Sequence, residues 1–169
     1  ALSVDENLYY DLLSAFCKSL RGSDADAALY YMERLISAGC DPMLIARRLV
    51  VHSSEDVGMA DPQALVVATS AMYAFQNIGL PEGRIPLANA VIYVCQADKS
   101  NSVVAALEAA NEDAVRHPDD NVPLHLRDTH YKGSENRAGG YLYPHDFGGY
   151  VEQQYLPDVL KNTKYYTFG

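Results

Sequence analysis

The stretch CDPMLIARRLVVHSSEDVGMADPQALVVATSAMYAFQNIG, residues 40–79, decides the fold class. It carries one unit twice in type. Each unit opens on Asp-Pro, first at Asp41–Pro42 and again at Asp61–Pro62, and continues into an apolar run with helical spacing. An aspartate side chain accepts the orphan amides of a first helical turn, and proline suits the first helical position because its missing N–H costs nothing there. Ile45, Leu49 and His52 share one face of the first unit. His52 is read as a hydrogen-bonded helix residue and not as a ligand. Leu65, Ala68, Met72 and Phe75 form the expected buried stripe of the second unit, which closes before Gly79.

Three carboxylates lie between the two helices: Glu55, Asp56 and Asp61. Asp61 reads as an N-cap, at the positive end of a helix dipole. Glu55 and Asp56 fall near the end of the preceding helix, where the dipole disfavours negative charge. They are expected to pair with an arginine from another helix or to mark an interface or interdomain contact. A helical two-carboxylate metal site would want Glu-x-x-His or further acids at matching spacing, and the sequence has neither.

Working outward, Leu8, Leu12, Leu13, Phe16 and Leu20 make one stripe over residues 7–20. Ser23 and Asp26 match an S-x-x-D capping box, followed by Ala28, Leu29, Met32, Leu35 and Ile36 at helical spacing, with Gly39 at the C′ position. Residues 81–101 give a further helix lined by Leu87, Val91, Val94 and Cys95, with Pro86 expected to delay its start or kink it. A last helix follows Ser100 or Asn101, with Val103, Val104, Leu107, Ala110 and Ala114 as its apolar face, and stops at His117–Pro118. The reading is all-α: a helical array of about six helices over residues 7–117. Residues 118–169 hold seven of the 13 tyrosines and six of the 11 glycines, with no helical period. Disorder is poor in aromatics, so this segment is expected to be an ordered, irregular Tyr/Gly/Pro-rich tail wrapping the body. The domain reading is therefore a body over 1–117 and a tail over 118–169 packed on the same domain.

The formal net charge of −9 repels a polyanion unless cations gather in one patch. Lys18 and Arg21 are candidate weak DNA contacts, and Arg47 and Arg48 are candidate interface residues. Cys17, Cys40 and Cys95 match no zinc or disulfide framework and read as buried, inert thiols of a reducing cytosol. No apolar run approaches the roughly 20 residues of a membrane helix, so no membrane partner is expected. The first residue is Ala1 and no signal-peptide pattern follows, which reads as a piece of a longer chain.

Catalytic motifs are missing from the sequence. Lys132-Gly133-Ser134 has the wrong order for a phosphate loop. LHLRDTH (124–130) and HDFGG (145–149) imitate kinase fragments, but Gly133 stands where magnesium needs an asparagine. His125, His130 and His145 read as structural histidines. The run YVEQQYLPDVL (150–160) reads as a docking segment anchored by Tyr155 and Leu156.

Four strings occur in order along nearly the whole chain: residues 15–65 (AFCKSLRGSDADAALYYMERLISAGCDPMLIARRLVVHSSEDVGMADPQAL), 81–101 (PEGRIPLANAVIYVCQADKSN), 122–128 (VPLHLRD) and 141–160 (YLYPHDFGGYVEQQYLPDVL). Together they resemble the C-terminal region of the RarA/MgsA family of replication-associated recombination AAA+ ATPases, related to the Werner helicase-interacting protein. The resemblance implies an upstream ATPase module holding ATP and magnesium, similar to clamp loaders and acting at stalled forks. It implies that this region oligomerises, as a tetramer, and needs no cofactor itself. Neither catalytic nor cofactor-binding residues carry over, because none of the family's ATPase motifs falls on these positions. The implied partners are further copies of the chain, the ATPase module and, through the full-length protein, DNA and single-stranded DNA-binding protein. The implied location is the cytoplasm, at the nucleoid of a bacterium. The family's longer basic stretch is mostly missing from DTHYKGSENRAGGYLYPHDF (128–147). Two alternatives stand beside this reading: a helical scaffold that docks a replication partner, and a metal-dependent hydrolase built on Glu55, Asp56 and the tail histidines.

Overall fold

Aspartates open the first helices. Asp5 accepts the Leu8 amide at 2.7 Å and starts α1 (Glu6–Arg21). Asp24 accepts the Ala27 amide at 2.9 Å and starts α2 (Ala25–Ser37). Asp41 accepts the Met43 amide at 3.0 Å and starts α3 (Pro42–His52), with Pro42 in the first turn. Asp61 bonds the Gln63 amide at 3.1 Å ahead of α4 (Gln63–Ile78). Then come α5 (Arg84–Gln96) and α6 (Ser102–Arg116). The structure is a computed structural model that describes residues 5–128 and 140–169, and no strand occurs among them. The fold is all-α.

Local details correct three expectations. Asp24, not Ser23, caps α2. Ser23 takes a positive φ of 64°, and its hydroxyl accepts a hydrogen bond from Lys99 Nζ at 2.9 Å. Pro86 neither delays nor breaks α5, which already begins at Arg84. Pro86 sits in the first turn, where its missing N–H has no intrahelical acceptor to lose. Leu65 is 40% exposed, and the buried stripe of α4 is Ala64, Ala68, Ala71 and Phe75. Alanines let the neighbouring helix come close, so the face with the smaller side chains is the one that packs. Gly39 does end α2, at φ 96°. Cys40 N–H reaches Leu35 O and Gly39 N–H reaches Ile36 O, both at 3.0 Å, which is a Schellman closure.

The chain divides into two units, Ala1–Glu108 with Tyr166–Gly169, and Ala109–Tyr165. The first unit holds the core. Phe16 and Leu20 of α1, Met32 and Leu35 of α2, Ile45 and Leu49 of α3 and Leu87, Val91 and Val94 of α5 are at most 1% exposed. Each such side chain contributes roughly 1.5–3 kcal/mol of transfer free energy.

The second unit has a different character. Not one of its described residues is buried. Its order rests on hydrogen bonds. Gln153 clamps the main chain of Leu142, accepting its N–H at 3.1 Å and donating to its C=O at 2.8 Å. Gln154 donates to Leu156 O and to Asp158 Oδ1, both at 2.8 Å. His125 Nε2–H donates to Gln154 O at 2.7 Å. Tyr165 donates to Asp113 at 2.7 Å, which lifts the Tyr165 pKa above its ordinary value. The apolar face expected on α6 is only partly covered: Val103 and Val104 are half-buried, while Leu107 is 66% exposed.

Candidate functional site

The densest polar constellation lies where α3 ends. After His52 the chain continues through a wide π-helical turn, Ser53–Val57, closed by the Gly58 amide bonding Ser53 O. Such turns insert one residue into a helix and re-aim the side chains that follow. Here the turn sends Asp56 inward. Gly58 leaves it at φ 52°, and a Cβ there would come within 3.3 Å of Ser100 O and the Val103 side chain. Glycine is required by both conformation and space.

Asp56 is the hub. Its side chain is 7% exposed, and both of its oxygens are used. Arg21 Nε, at the end of α1, donates to Oδ1 at 2.9 Å, and His52 Nδ1–H donates to Oδ2 at 2.6 Å. Arg21 Nη2 reaches Glu55 Oε2 at 2.9 Å. The hydrogen bond that Arg21 donates to Asp56 is the first cause that lifts the Arg21 pKa above the ordinary arginine value. The main chain of Asp56 takes part too, with its carbonyl accepting the Ser100 amide at 2.8 Å. One residue therefore ties together α1, α3 and the α5–α6 connection.

That connection is itself braced. Lys99 Nζ contacts the carbonyls of Val94, Cys95 and Ala97 at 2.8, 3.1 and 2.7 Å, closing the C-terminal end of α5. Cations favour that end of a helix. Burial lowers the Lys99 pKa from its ordinary value. Ser100 Oγ donates to Gly169 O at 2.9 Å. Arg21, Asp56, Lys99, Asn101, Val104 and Glu108 are among the residues around an open groove of about 470 Å³.

The chemistry open to this cluster is limited by Arg21. Donor atoms of His52, Glu55 and Asp56 lie within 4.8 Å of one another, a spacing that three ligands of one cation could adopt. Arg21 and His52 already occupy both Asp56 oxygens, and Arg21 holds one oxygen of Glu55, so a metal ion would compete with these bonds for its ligands. The arrangement works as a cross-brace between the end of α1 and the turn that follows α3.

The remaining candidates from the sequence are placed as follows. Lys18 and Arg47 are exposed, Arg48 is half-buried, and none of the three forms a salt bridge among the described residues. Tyr155 is 52% exposed, and its hydroxyl accepts from Gln153. Leu156 is half-buried. His145 lies beside Tyr143, with ring centroids 5.2 Å apart and the planes tilted by 57°. His130 and Lys132–Ser134 lie outside the described residues. Sequence reasoning missed Lys99, Ser100, Gln153 and Gln154. Ser100 and Gln153 bond main-chain atoms distant along the chain, while Lys99 and Gln154 bond carbonyls only two to five residues away, and no periodicity or motif announces either kind of bond.

Comparison with known proteins covers nearly the whole chain. The family described as MgsA AAA+ ATPase C terminal matches residues 22–169. Replication-associated recombination protein A of Bacillus subtilis is 52% identical over 96% of the chain, which spans 39% of that relative. The protein of the same name in Escherichia coli K12 is 44% identical over 94% of the chain, here 36% of the relative. The ATPase WRNIP1 of Dictyostelium discoideum is 38% identical over 95%, or 19% of that relative. The matched span includes the whole Arg21-facing turn, the Lys99 brace and the glutamine-clamped tail, and on this evidence the chain belongs to the C-terminal family of the MgsA AAA+ ATPases.

Proposed function

We propose that this chain gathers copies of an AAA+ ATPase into an oligomer, a tetramer, that works in replication-associated recombination at stalled forks. One observation carries the assembly reading. The second unit, Ala109–Tyr165, buries none of its described residues yet leaves large apolar side chains in water, among them Val115 at 71%, Tyr150 at 77% and Val159 at 68%. Described residues that expose that much apolar surface and bury none of it gain stability from a partner that covers them. The relatives' names supply the setting, recombination associated with replication. In this reading ATP and magnesium belong to an upstream module, and assembly matters because ATPases of this kind complete a site with a residue from a neighbour. DNA and single-stranded DNA-binding protein are met through the full-length protein, in the cytoplasm at the nucleoid. No helix among the described residues is long and apolar enough to cross a membrane.

Sedimentation velocity over a wide concentration range tests the proposal. The expected species has about four times the 18.6 kDa chain mass. A chain that stays monomeric at high micromolar concentration removes the assembly reading.

A further inference from the structure

The side chain of Gln153, by holding both main-chain groups of Leu142, closes residues 141–155 into a compact loop with neighbouring ends. Loops of this kind are often functional. This one carries Tyr141, Tyr143, Phe147, Tyr150 and Tyr155, each 48–77% exposed, along with Leu142 at 39%. At roughly 150–250 Å² for each whole aromatic, they leave on the order of 600 Å² of apolar surface in water. That is at the top of what a typical monomer exposes in one patch, and it approaches the ~800 Å² per partner of a stable interface. The loop contains Asp146 and Glu152 and neither lysine nor arginine, and both acids are exposed and unpaired among the described residues.

A complementary face exists on α3. Leu44, Arg47, Arg48 and Val51 stand at i, i+3, i+4 and i+7, one stripe of the helix. Val51 is 39% exposed and Arg47 is exposed, while Leu44 and Arg48 are half-buried. Two guanidinium groups that form no salt bridge among the described residues thus sit between two aliphatic side chains. Guanidinium planes stack on tyrosine faces and pair with carboxylates, and arginine and tyrosine are both enriched among the residues that dominate interface centres.

We propose that the 141–155 loop of one chain docks on the Leu44–Arg47–Arg48–Val51 stripe of a second copy. This deepens the assembly reading above and rests on it. Loop against loop would set two acidic, cation-free surfaces together, and stripe against stripe would do the same with arginines. Only the unlike pairing matches charge. It is a head-to-tail contact, which closes into a ring of identical subunits when the rotation allows.

The test is sedimentation of four chains: wild type, Arg47→Glu/Arg48→Glu, Asp146→Arg/Glu152→Arg, and the four substitutions combined. Circular dichroism confirms that each is folded, and Tyr150→Ala serves as a fifth chain that alters no charge. Each reversal is expected to weaken association at least tenfold, Tyr150→Ala likewise, and the combined chain to recover to within about threefold of wild type. A wild-type chain that never associates overturns the assembly reading and this inference with it. A wild-type chain that associates while both reversals leave it unchanged, or a combined chain that fails to recover, overturns this inference and leaves assembly standing.

Discussion

Arg21 Nε and Asp56 Oδ1 meet at 2.9 Å across 35 positions of sequence, and the other oxygen of the same carboxylate holds His52. The two carboxylates that face Arg21 are not equivalent. Asp56 is 7% exposed, Glu55 35%. Replacing Asp56 by alanine strands a buried imidazole and loosens the end of α1, at a cost of about 2–4 kcal/mol, since breaking a buried pair leaves its partners unsatisfied. Replacing Glu55 by alanine removes only the solvent-screened half, about 1 kcal/mol or less. Urea unfolding of the two variants measures the difference. Equal losses at both positions contradict the placement of Asp56 as the hub.

Two glycines with positive φ separate backbone strain from crowding. Gly58 and Gly79 have φ of 52° and 74°. A Cβ at Gly79 meets nothing within 4 Å, whereas at Gly58 it comes within 3.3 Å of Ser100 O and the Val103 side chain. Gly79→Ala is expected to cost about 1–3 kcal/mol, backbone strain alone, because φ 74° with ψ −175° is a conformation essentially reserved for glycine. Gly58→Ala adds a clash that pushes the α5–α6 connection off Asp56 O, for a total of about 2–4 kcal/mol. Thermal melts of both variants decide it, and a Gly58→Ala chain as stable as Gly79→Ala shows that the connection is not pressed against the turn.

Helix caps and closures made by neighbours in sequence were the most legible features. Asp41–Pro42 and Gly39 form cap and closure from atoms within a few residues, so spacing alone places them. The start of α2 shows where this fails. Ser23 and Asp24 are both good caps, and the choice between them is made by Lys99, 76 positions away, which takes the Ser23 hydroxyl. Glu55 and Asp56 could be seen as misfits at a helix end, but nothing local names Arg21 as their partner. The family strings located the chain as a whole, while the Gln153 clamp left no trace, because an amide bonding a distant main chain has no period.

The three free thiols should differ in reactivity. Cys17 is half-buried, Cys40 and Cys95 are buried. Burial raises the pKa of all three, so little thiolate is present near neutrality. In native buffer at mildly alkaline pH, a disulfide reagent with a coloured leaving group should consume one thiol slowly and the other two only after denaturant is added. Mass spectrometry should find the native adduct on Cys17. Rapid modification of all three in the folded chain is inconsistent with this core.

Cys95 also sets an alkaline limit. Burial pushes its thiol up to about 11, well above the roughly 8.5 of a free cysteine. The folded state therefore binds the proton more tightly than the unfolded chain. The resulting stabilisation is complete below about pH 8.5 and is lost as pH rises towards 11, amounting to about 2–3 kcal/mol over that window. Tyr93, bonded to Asp61, and Tyr165, bonded to Asp113, are raised as well and titrate in the same sense. Cys95→Ala removes one of these groups and leaves the others. Its unfolding free energy is expected to fall less steeply between pH 9 and 11 than that of the wild type, even though its neutral-pH stability starts lower from the lost packing. Urea titrations at half-unit pH steps give both slopes. Identical slopes would mean that the Cys95 thiol reaches water without unfolding, and that the contact between the ends of α1 and α5 is open.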